Sequence, residues 1–289
     1  MKAPTVSVLT TVYNRAHFLA DCIDSVLGGH FQDFELIIID DQSTDGSFEI
    51  ATQYAEKDSR IKVHLNPVNL GDYPNRNKAA SIACGKYIKY LDADDMLGKF
   101  AIDIMADAIE RFPSAGFALF DFGPNRPLKP ILLQPDEIFT AHYSGQHDFL
   151  HRSPLSAIIN RKAFSEAGGF KPEPYTSDFE LWHRLGAQHA MVMMSPWPLF
   201  WREHAHQQSE VIRTDATIPM KYLLLTEDFL CETSSPLQPE QRLSLLKSQK
   251  KKIARTVLYS LKTRGAKTML RLKRQTNRSW VTLMRDAFS

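Results

Sequence analysis

The sequence predicts an α/β protein built on a parallel sheet, and its first hundred residues carry the evidence. Four β-branched runs, at residues 5–13, 34–40, 60–66 and 86–92, alternate with segments of helical periodicity. Strands that alternate with helices pair in parallel through crossover connections. In such sheets, ligands bind beyond the carboxyl ends of the strands.

Each predicted strand leads into a distinct connecting segment. The first run, "TVSVLTTVY", precedes "AHFLADCIDSVLGG", whose apolar residues recur on one helical face before Gly28 and Gly29 stop the helix. The second run, "FELIIID", precedes the helical "GSFEIATQYAEKD". Polar clusters follow the first, second and fourth runs, namely "TTVYNR", "DDQSTDGS" and "DADD". These clusters are therefore expected to meet at one edge of the sheet.

The pattern changes after the fourth strand. Between residues 113 and 155, the four prolines of "GPNRPLKPILLQP" predict irregular structure or a mobile connection. Helices are predicted over 161–167, from about Ser177 through "DFELWHRLGAQ", and after residue 219, with Gly265 dividing the tail. We therefore predict an α/β domain over residues 1–215 and a basic helical extension over 216–289.

Charge is distributed unevenly along the 289 residues. From residue 240 onward there are fourteen Lys and Arg residues against two acids, whereas the preceding part holds 21 basic and 31 acidic residues. The tail could be a solvated helical hairpin, or it could contact anionic lipid at a membrane surface. Nucleic-acid binding is not expected, because the aromatic residues that interleave such surfaces are nearly absent.

Cysteine usage and hydropathy predict a cytoplasmic protein. Cys22, Cys84 and Cys231 are odd in number and lack metal-ligand spacing, which favours reduced, buried thiols. The first residues have no apolar stretch suited to a signal peptide, and no run approaches eighteen apolar residues. The chain is therefore expected neither to span a membrane nor to be secreted.

The segment "YLDADDML" places three aspartates within four positions. An Asp-x-Asp on a loop can hold Mg²⁺ or Mn²⁺ while a diphosphate supplies further ligands. A haloacid-type phosphatase usually has Thr or Val next, and Asp95-Met96 departs from that pattern. A calcium loop counted from Asp92 would need Gly where Leu97 stands, and a strand precedes it. A cation site and a solvated acidic turn stay open at this point.

Three other polar groups suggest function but have simpler explanations. A carboxylate in "IIIDDQSTDGS" could accept the imide N–H of a uracil-like base, whereas Asp45 or Ser47 is expected to cap the next helix. Asp178 lies at a predicted helix start, where an acid is favourable in any case. Trp182 and Leu185 are expected in the core. Arg202 and His204 alternate on an extended stretch, and both suit phosphate.

The order and spacing of these motifs together identify a protein family more specifically than any single motif does. "SVLTTVYNRAHFLADCIDSVL", "FELIIIDDQSTDGS", "NLGDYPNRNKAASIACGKYIKYLDADD", "TSDFELWHRL" and "WREH" together resemble the family-two glycosyltransferases with the GT-A fold, over roughly residues 4 to 210. The resemblance implies sugar transfer, with inversion, from a nucleotide-sugar donor, most commonly a UDP-sugar. It implies a glycan or lipid-linked glycan acceptor, a divalent cation (Mn²⁺ or Mg²⁺) and a role in cell-envelope polysaccharide synthesis.

The resemblance also implies roles for individual residues. Nucleotide-binding positions are occupied by Thr11, Tyr13, Arg15, Asp40, Asp41, Arg76, Lys78, Asp92 and Arg202. Asp94 matches the metal-binding acid, His204 matches a late metal or diphosphate motif, and Asp178 matches the catalytic base. The chain departs from the family at Ser177, where a glutamate usually precedes the base, and this puts hydrogen bonding to the acceptor in doubt.

Two rival functions remain at the level of sequence. A sugar-phosphate nucleotidyltransferase usually has a Gly-rich phosphate loop after its first strand, and "TTVYNRAHF" contains no glycine. A catalytically inactive nucleotide-binding module is disfavoured because Asp94, Asp178 and His204 are all present.

Overall fold

The computed structural model describes residues 3–123, 127–145, 147–195, 199–200, 202, 214–232 and 235–288. The chain divides into two compact units. Met1–Glu173 and Ser177–Arg202 form the first, and Pro174–Thr176 and Glu203–Ser289 form the second. This division precedes residue 215, where the sequence predicted the end of the α/β domain, and that boundary stays a prediction.

The first unit opens with strands and helices in strict alternation. The elements are β1 (Val6–Val12), α1 (Ala16–Leu27), β2 (Phe34–Asp40), α2 (Ser47–Ala55), β3 (Ile61–Leu65), α3 (Asp72–Ile82) and β4 (Tyr87–Tyr90). β1 pairs in parallel with both β2 and β4, and β2 pairs in parallel with β3. The predicted parallel α/β arrangement is confirmed.

The remainder of the first unit completes a mixed sheet. Its elements are β5 (Met96–Leu97), α4 (Ala101–Glu110), β6 (Ala115–Phe120), β7 (Ile131–Leu133), α5 (Pro135–Tyr143), β8 (Ala157–Asn160), α6 (Arg161–Glu166), α7 (Ser177–Gln188), β9 (Ala190–Met194) and β10 (Leu199–Phe200). The strand order is β3-β2-β1-β4-β8-β6-β9-β7, and β5 pairs separately with β10. β8 runs antiparallel to β4 and β6, its neighbours.

The prediction of irregular structure between residues 113 and 155 was wrong for much of that segment. β6 is buried along its whole length, so its sequence "AGFALF" shows none of the alternation of a half-buried strand. The prolines include Pro135, which occupies the first turn of α5, where a missing N–H costs nothing. Gln134 and Glu137 form a capping box around it.

Core packing fixes the position of α7. Trp182 and Leu185 are fully buried, as predicted. The Trp182 indole stacks on Phe117 at a centroid distance of 6.0 Å, and its N–H donates to the carbonyl oxygen of Arg152 at 2.7 Å. These contacts hold α7 against the sheet, with its first turn, including Asp178, at a defined position.

The second unit is helical, as the sequence predicted. It contains α8 (Thr217–Cys231), α9 (Pro239–Thr276) and α10 (Trp280–Phe288), and α9 breaks at Gly265, whose φ is 83°. A small apolar core joins the three helices. Of the helices in the described residues, none is long and apolar enough to cross a membrane.

The three cysteines are free thiols. Cys22 is buried, as predicted, but Cys84 and Cys231 are exposed. The expectation of buried thiols was therefore wrong for two of the three.

Candidate active site

Two loops at the carboxyl edge of the sheet are joined by hydrogen bonds. The loop after β1 (13–15) meets the loop after β2 (41–47), and we call them the interlocked loops. The N–H of Asn14 donates to Ser43 Oγ at 2.9 Å, and the N–H of Thr44 donates to Asn14 Oδ1 at 2.8 Å. Asn14 has a left-handed φ of 53°, which asparagine tolerates well.

Asp45 contacts the segments on both sides of this junction. Its Oδ1 accepts the N–H of Ser47, the first residue of α2, and its Oδ2 accepts the N–H of Ala16, the first residue of α1. The N-cap position of α2 is Gly46, so the expectation that Asp45 or Ser47 caps this helix was wrong, but Asp45 accepts the first N–H group of both helices. Because one carboxylate contacts both helices, it holds the first residues of α1 and α2 close together. Thr11, half-buried, and Tyr13, 51% exposed, flank the junction, and their predicted nucleotide contacts stay predictions.

The two aspartates that end β2 have different surroundings. Asp41 accepts from the Asn66 amide at 2.6 Å and from the N–H groups of Leu70 and Gly71 at 2.8 and 2.9 Å. Asp40 is fully buried, and its Oδ1 accepts the N–H of Ser43 at 2.8 Å. Asp40 Oδ2 has no hydrogen-bond partner among the described residues. Asp41 therefore holds the loop before α3, and the predicted contacts of Asp40 and Asp41 with a nucleotide base stay predictions.

Asp41→Asn is expected to destabilise the folded state by roughly 2–3 kcal/mol, because charge-assisted hydrogen bonds are lost and an amide would face backbone N–H donors. Urea denaturation measures this change. Asp33→Asn is the control, since Asp33 accepts from the Thr5 hydroxyl at an exposed position, and it should change stability little. Equal denaturation midpoints for Asp41→Asn and the parent protein would contradict the structural role.

Lys78 lies behind Asp41. Its ammonium donates to Asn66 Oδ1 at 2.7 Å, and Asn66 in turn donates to Asp41. Lys78 therefore supports the Asp41 network through Asn66, and its predicted contact with ribose or diphosphate stays a prediction.

Arg76 joins two carboxylates from different segments. Its Nε donates to Asp72 Oδ1 and its Nη2 pairs with Asp92 Oδ1, both at 2.7 Å. The guanidinium is buried and lies 5.8 Å from the centroid of the Tyr90 ring. The sequence analysis did not select Asp72, although its spacing of four residues from Arg76 on a helix is a recognisable signal.

The Asp-x-Asp segment carries a second arginine contact. Asp94 Oδ2 lies 3.1 Å from Arg15 Nε, so the first strand end reaches the acidic cluster. The guanidinium of Arg15 also donates to the carbonyl oxygen of Asn14 at 3.0 Å. The side chain of Asp94 is thus linked directly to the interlocked loops.

Asp95 has a role that its sequence position did not reveal. Its Oδ1 accepts the N–H of Arg202 at 3.1 Å, and Arg202 pairs with Asp21 at 2.9 Å. Burial raises the pKa of Asp95 to about 7, and the charge of Asp92 adds to this shift. Asp95 thus anchors the segment that carries Arg202. His204, predicted as a metal ligand, lies outside the described residues.

The chemistry of this cluster suits a hard divalent cation. Carboxylate oxygens are the ligands that Mg²⁺ and Mn²⁺ prefer, and Asp92 and Asp94 offer them on one short loop. Burial raises the pKa of Asp92, the charge of Arg76 opposes this rise, and the neighbouring charges of Asp72 and Asp94 add to it. A cation would relieve this repulsion, so the residues present fit one.

The charge of Arg76 acts on Asp178. Burial raises its pKa to about 6, while the N–H of Phe179 and the charge of Arg76 oppose the rise. The nearby Glu180 is occupied differently, since it pairs with both Arg184 and Lys171 at 2.6 Å. Among these two acids of α7, Asp178 therefore has the properties of a proton acceptor that works near neutral pH.

Ser177, which stands where the family usually has glutamate, faces inward. It is fully buried, and its hydroxyl donates to the carbonyl oxygen of Lys171. The hydroxyl thus stabilises the segment before α7, and it does not replace the carboxylate that the family usually has at this position.

Lys89 is a buried charged residue that the sequence analysis missed. It lies in β4, and its ammonium donates to the carbonyl oxygen of Leu155. Burial lowers its pKa to about 7, against the opposing charges of Asp92 and Asp95. A lysine in the middle of the apolar run "KYIKYL" was the available signal.

Known proteins share sequence with this chain. The family model described as glycosyl transferase family 2 matches residues 7–168. A Bacillus subtilis glycosyltransferase assigned to teichuronic acid biosynthesis is 44% identical over 139 residues, covering 47% of this chain and 55% of that protein. The chain thus spans about half the length of this relative.

Two solved structures share the fold. S. aureus TarS, residues 1–349 in complex with UDP-GlcNAc, superposes with a TM-score of 0.66 at 18% identity, covering 89% of this chain and 76% of that one. A mannosyltransferase from Pyrobaculum calidifontis, in complex with GDP-Man and Mn²⁺, gives a TM-score of 0.63 at 14% identity, covering 100% and 80%. The predicted GT-A type of α/β fold with C-terminal helices is confirmed.

Proposed function

The chain belongs to glycosyl transferase family 2, and from that premise we propose that it transfers a sugar, with inversion, from a nucleotide-diphosphate sugar to a hydroxyl group of a glycan or lipid-linked glycan. The observation that carries the proposal is the position of Arg76. It pairs with Asp92, and its charge also lowers the pKa of Asp178, which supports a single site for the donor-side acids and the proposed base. UDP is the proposed nucleotide, supported by the fold shared with TarS bound to UDP-GlcNAc.

The chemistry is a single displacement. Asp178 accepts the proton of the acceptor hydroxyl while the hydroxyl oxygen bonds to the anomeric carbon of the donor sugar. The bond between that carbon and the diphosphate oxygen breaks, and the nucleoside diphosphate leaves with the electron pair. Because attack and departure occur on opposite faces of the carbon, its configuration inverts.

Positive charge on the donor side stabilises the leaving diphosphate. The guanidinium of Arg15 is held beside the acidic loop by Asp94, whereas Arg202 contacts Asp95 through its backbone N–H and its guanidinium pairs with Asp21. A Mg²⁺ or Mn²⁺ ion held by Asp94, with Asp92 beside it, would neutralise charge that develops on the diphosphate. Asp41, with Asp40 beside it, is the proposed contact for the nucleotide base.

Nucleotide release tests this proposal. The purified chain is incubated with Mn²⁺, a mixture of glycan acceptors and UDP-, GDP- and dTDP-sugars, and the release of nucleoside diphosphate is measured. Release from one donor class, dependent on acceptor, supports transfer. Formation of a sugar nucleotide with release of pyrophosphate would instead identify a nucleotidyltransferase, and nucleotide binding without turnover would identify a regulatory module.

The rate of transfer is expected to fall below about pH 6. Asp178 must be unprotonated to act as a base, and its raised pKa of about 6 means that protonation begins well above the usual range for aspartate. The value of kcat/KM should therefore fall about tenfold per pH unit on the acid side. The variant Asp95→Asn tests whether Asp95 causes the fall of kcat/KM at acid pH. If the fall moves to another pH or disappears in this variant, its assignment to Asp178 is wrong.

The second unit is proposed to contact anionic lipid at the cytoplasmic face of a membrane, where a lipid-linked acceptor would be found. α10 exposes four apolar side chains, Trp280, Val281, Met284 and Phe288. Arg285, on the same helix, is 73% exposed, and basic residues dominate the adjacent α9. An exposed apolar face beside basic residues is typical of helices that lie in the membrane interface.

Vesicle flotation tests the membrane proposal. The parent protein should float with vesicles of phosphatidylcholine that contain phosphatidylglycerol, and less at high salt, because salt screens charge. Val281→Ser with Phe288→Ser should abolish flotation. Leu128→Ser, which removes an exposed apolar side chain from the first unit, should not change it. Flotation that is the same in all three proteins would reject α10 as the contact.

A further inference from the structure

A second set of metal-ligating side chains lies between α5 and β8. It consists of His142, near the end of α5, with Asp148 and His151 in the connection that follows. One ligand atom of each residue lies within 4.8 Å of the others. We propose that His142, Asp148 and His151 bind a divalent transition metal, with zinc as the first candidate, at a site separate from the donor cation of the Asp94 loop.

His142 supplies the buried part of this site. The residue is 8% exposed, and its Nδ1 has no hydrogen-bond partner among the described residues. Burial lowers the pKa of His142 to about 3, and His183 and His151 add to this effect. The imidazole is therefore neutral at physiological pH, and the neutral form is the one that binds metals.

Asp148 and His151 supply the adjustable part. Their side chains are 60% and 43% exposed, and His151 Nδ1 lies 2.6 Å from Asp148 Oδ1. The hydrogen bond from His151 lowers the pKa of Asp148, so this carboxylate is anionic. Ligand atoms around tetrahedral zinc are about 3.3 Å apart, given bonds of about 2.0–2.1 Å. Exposed side chains can make the small movement that this requires.

Two imidazoles and one carboxylate form a recognised ligand set for zinc. Three protein ligands leave a fourth position for water or another ligand. The exposure of Asp148 and His151 leaves that position open to solvent. His183 is not a fourth ligand in this arrangement, because its Nδ1 is 2.7 Å from the carbonyl oxygen of Phe179 and its Nε2 is 2.8 Å from the Tyr143 hydroxyl.

The surrounding contacts connect this site to α7. The His151 ring stacks on Phe179 at a centroid distance of 4.6 Å, and the His142 ring meets His183 edge-on at 6.3 Å. Phe179 directly follows Asp178. A metal at this site would therefore fix the connection between α5 and β8 against the first turn of α7, and its role is to position that turn.

Zinc binding by the full-length protein without a polyhistidine tag tests the proposal. An Asp94→Asn background removes the donor site, and affinity is measured by competition with a chromogenic chelator. Cobalt substitution adds a visible spectrum that reports tetrahedral coordination. One equivalent should bind, and Asp148→Asn and His151→Ala should each weaken binding by at least about tenfold.

His30→Ala is the matched control, because His30 pairs with Asp103 at 2.7 Å in an exposed His–Asp pair elsewhere. Its zinc affinity should equal that of the background protein. Circular dichroism confirms that each variant is folded, and His151→Gln replaces His151→Ala if that variant is not. Unchanged affinity in both ligand variants, equal loss in His30→Ala, or no zinc binding at micromolar concentration would overturn the site. None of these results depends on sugar transfer.

Discussion

Asp178→Asn is expected to lower kcat for sugar transfer by about 10²- to 10⁴-fold, which is the usual contribution of a positioned general base. The amide cannot accept the proton of the acceptor hydroxyl, and it preserves the size of the side chain and its contact with the N–H of Phe179. Nucleoside diphosphate release measures the loss. The affinity for the nucleotide, measured by calorimetry, should stay nearly unchanged because Asp178 does not hold the nucleotide.

Asp136→Asn is the matched control for this substitution. Asp136 lies in the first turn of α5. The substitution Asp136→Asn therefore removes one negative charge from the start of another helix. Its turnover should equal that of the parent protein. Normal turnover by Asp178→Asn would show that another group accepts the proton, and equal losses in both variants would point to a helix-dipole effect.

Asp94→Asn is expected to remove the stimulation of transfer by Mn²⁺ and to lower turnover by roughly 100-fold or more, since a bound cation contributes several kcal/mol to charge stabilisation. The substitution removes a hard anionic ligand and leaves Arg15 without its 3.1 Å partner at that atom. Turnover is measured across a Mn²⁺ titration. UDP affinity, measured with and without Mn²⁺, should no longer depend on the ion.

Asp58→Asn provides the comparison for Asp94. Asp58 pairs with Arg60 at 2.6 Å, but it precedes β3 and so lies at the opposite edge of the parallel strands. Its Mn²⁺ dependence should match that of the parent protein. If Asp94→Asn kept the normal Mn²⁺ response, the cation assignment to this loop would be wrong.

The strand and helix order of the first hundred residues could be predicted because its strands are β-branched runs that alternate with segments of helical periodicity. α7 could also be predicted, since Ser177 begins an amphipathic segment that ends before β9. The region around β6 could not. β2 and β6 are both buried along their whole length, but β2 is rich in isoleucine, whereas "AGFALF" contains no β-branched residue. Pairing with β8 and β9 identifies β6 as a strand.

That the acidic clusters meet at one edge of the sheet could also be predicted from the sequence, because they directly follow the parallel strands β2 and β4. The separate roles of the individual aspartates could not be predicted. The donors to Asp41 include backbone N–H groups 29 and 30 residues further along the chain. The partner of Asp95 is 107 residues away. A backbone N–H is present in almost every residue, so a hydrogen bond from one cannot be recognised from residue types. The roles of Asp41 and Asp95 could therefore be identified only from the structure.

If the base and the cation bind where we propose, the interlocked loops would couple the two binding events. Asn14 and Asp45 join the loop that ends in Arg15 to the loop that begins after Asp40, and Arg15 in turn contacts Asp94. A base that moved the second loop would then also act on the first loop, and on Arg15 beside Asp94, through these contacts. By linkage, base and cation change each other's affinity by the same factor. Selectivity for a nucleotide and selectivity for a metal would then be one shared property of this edge.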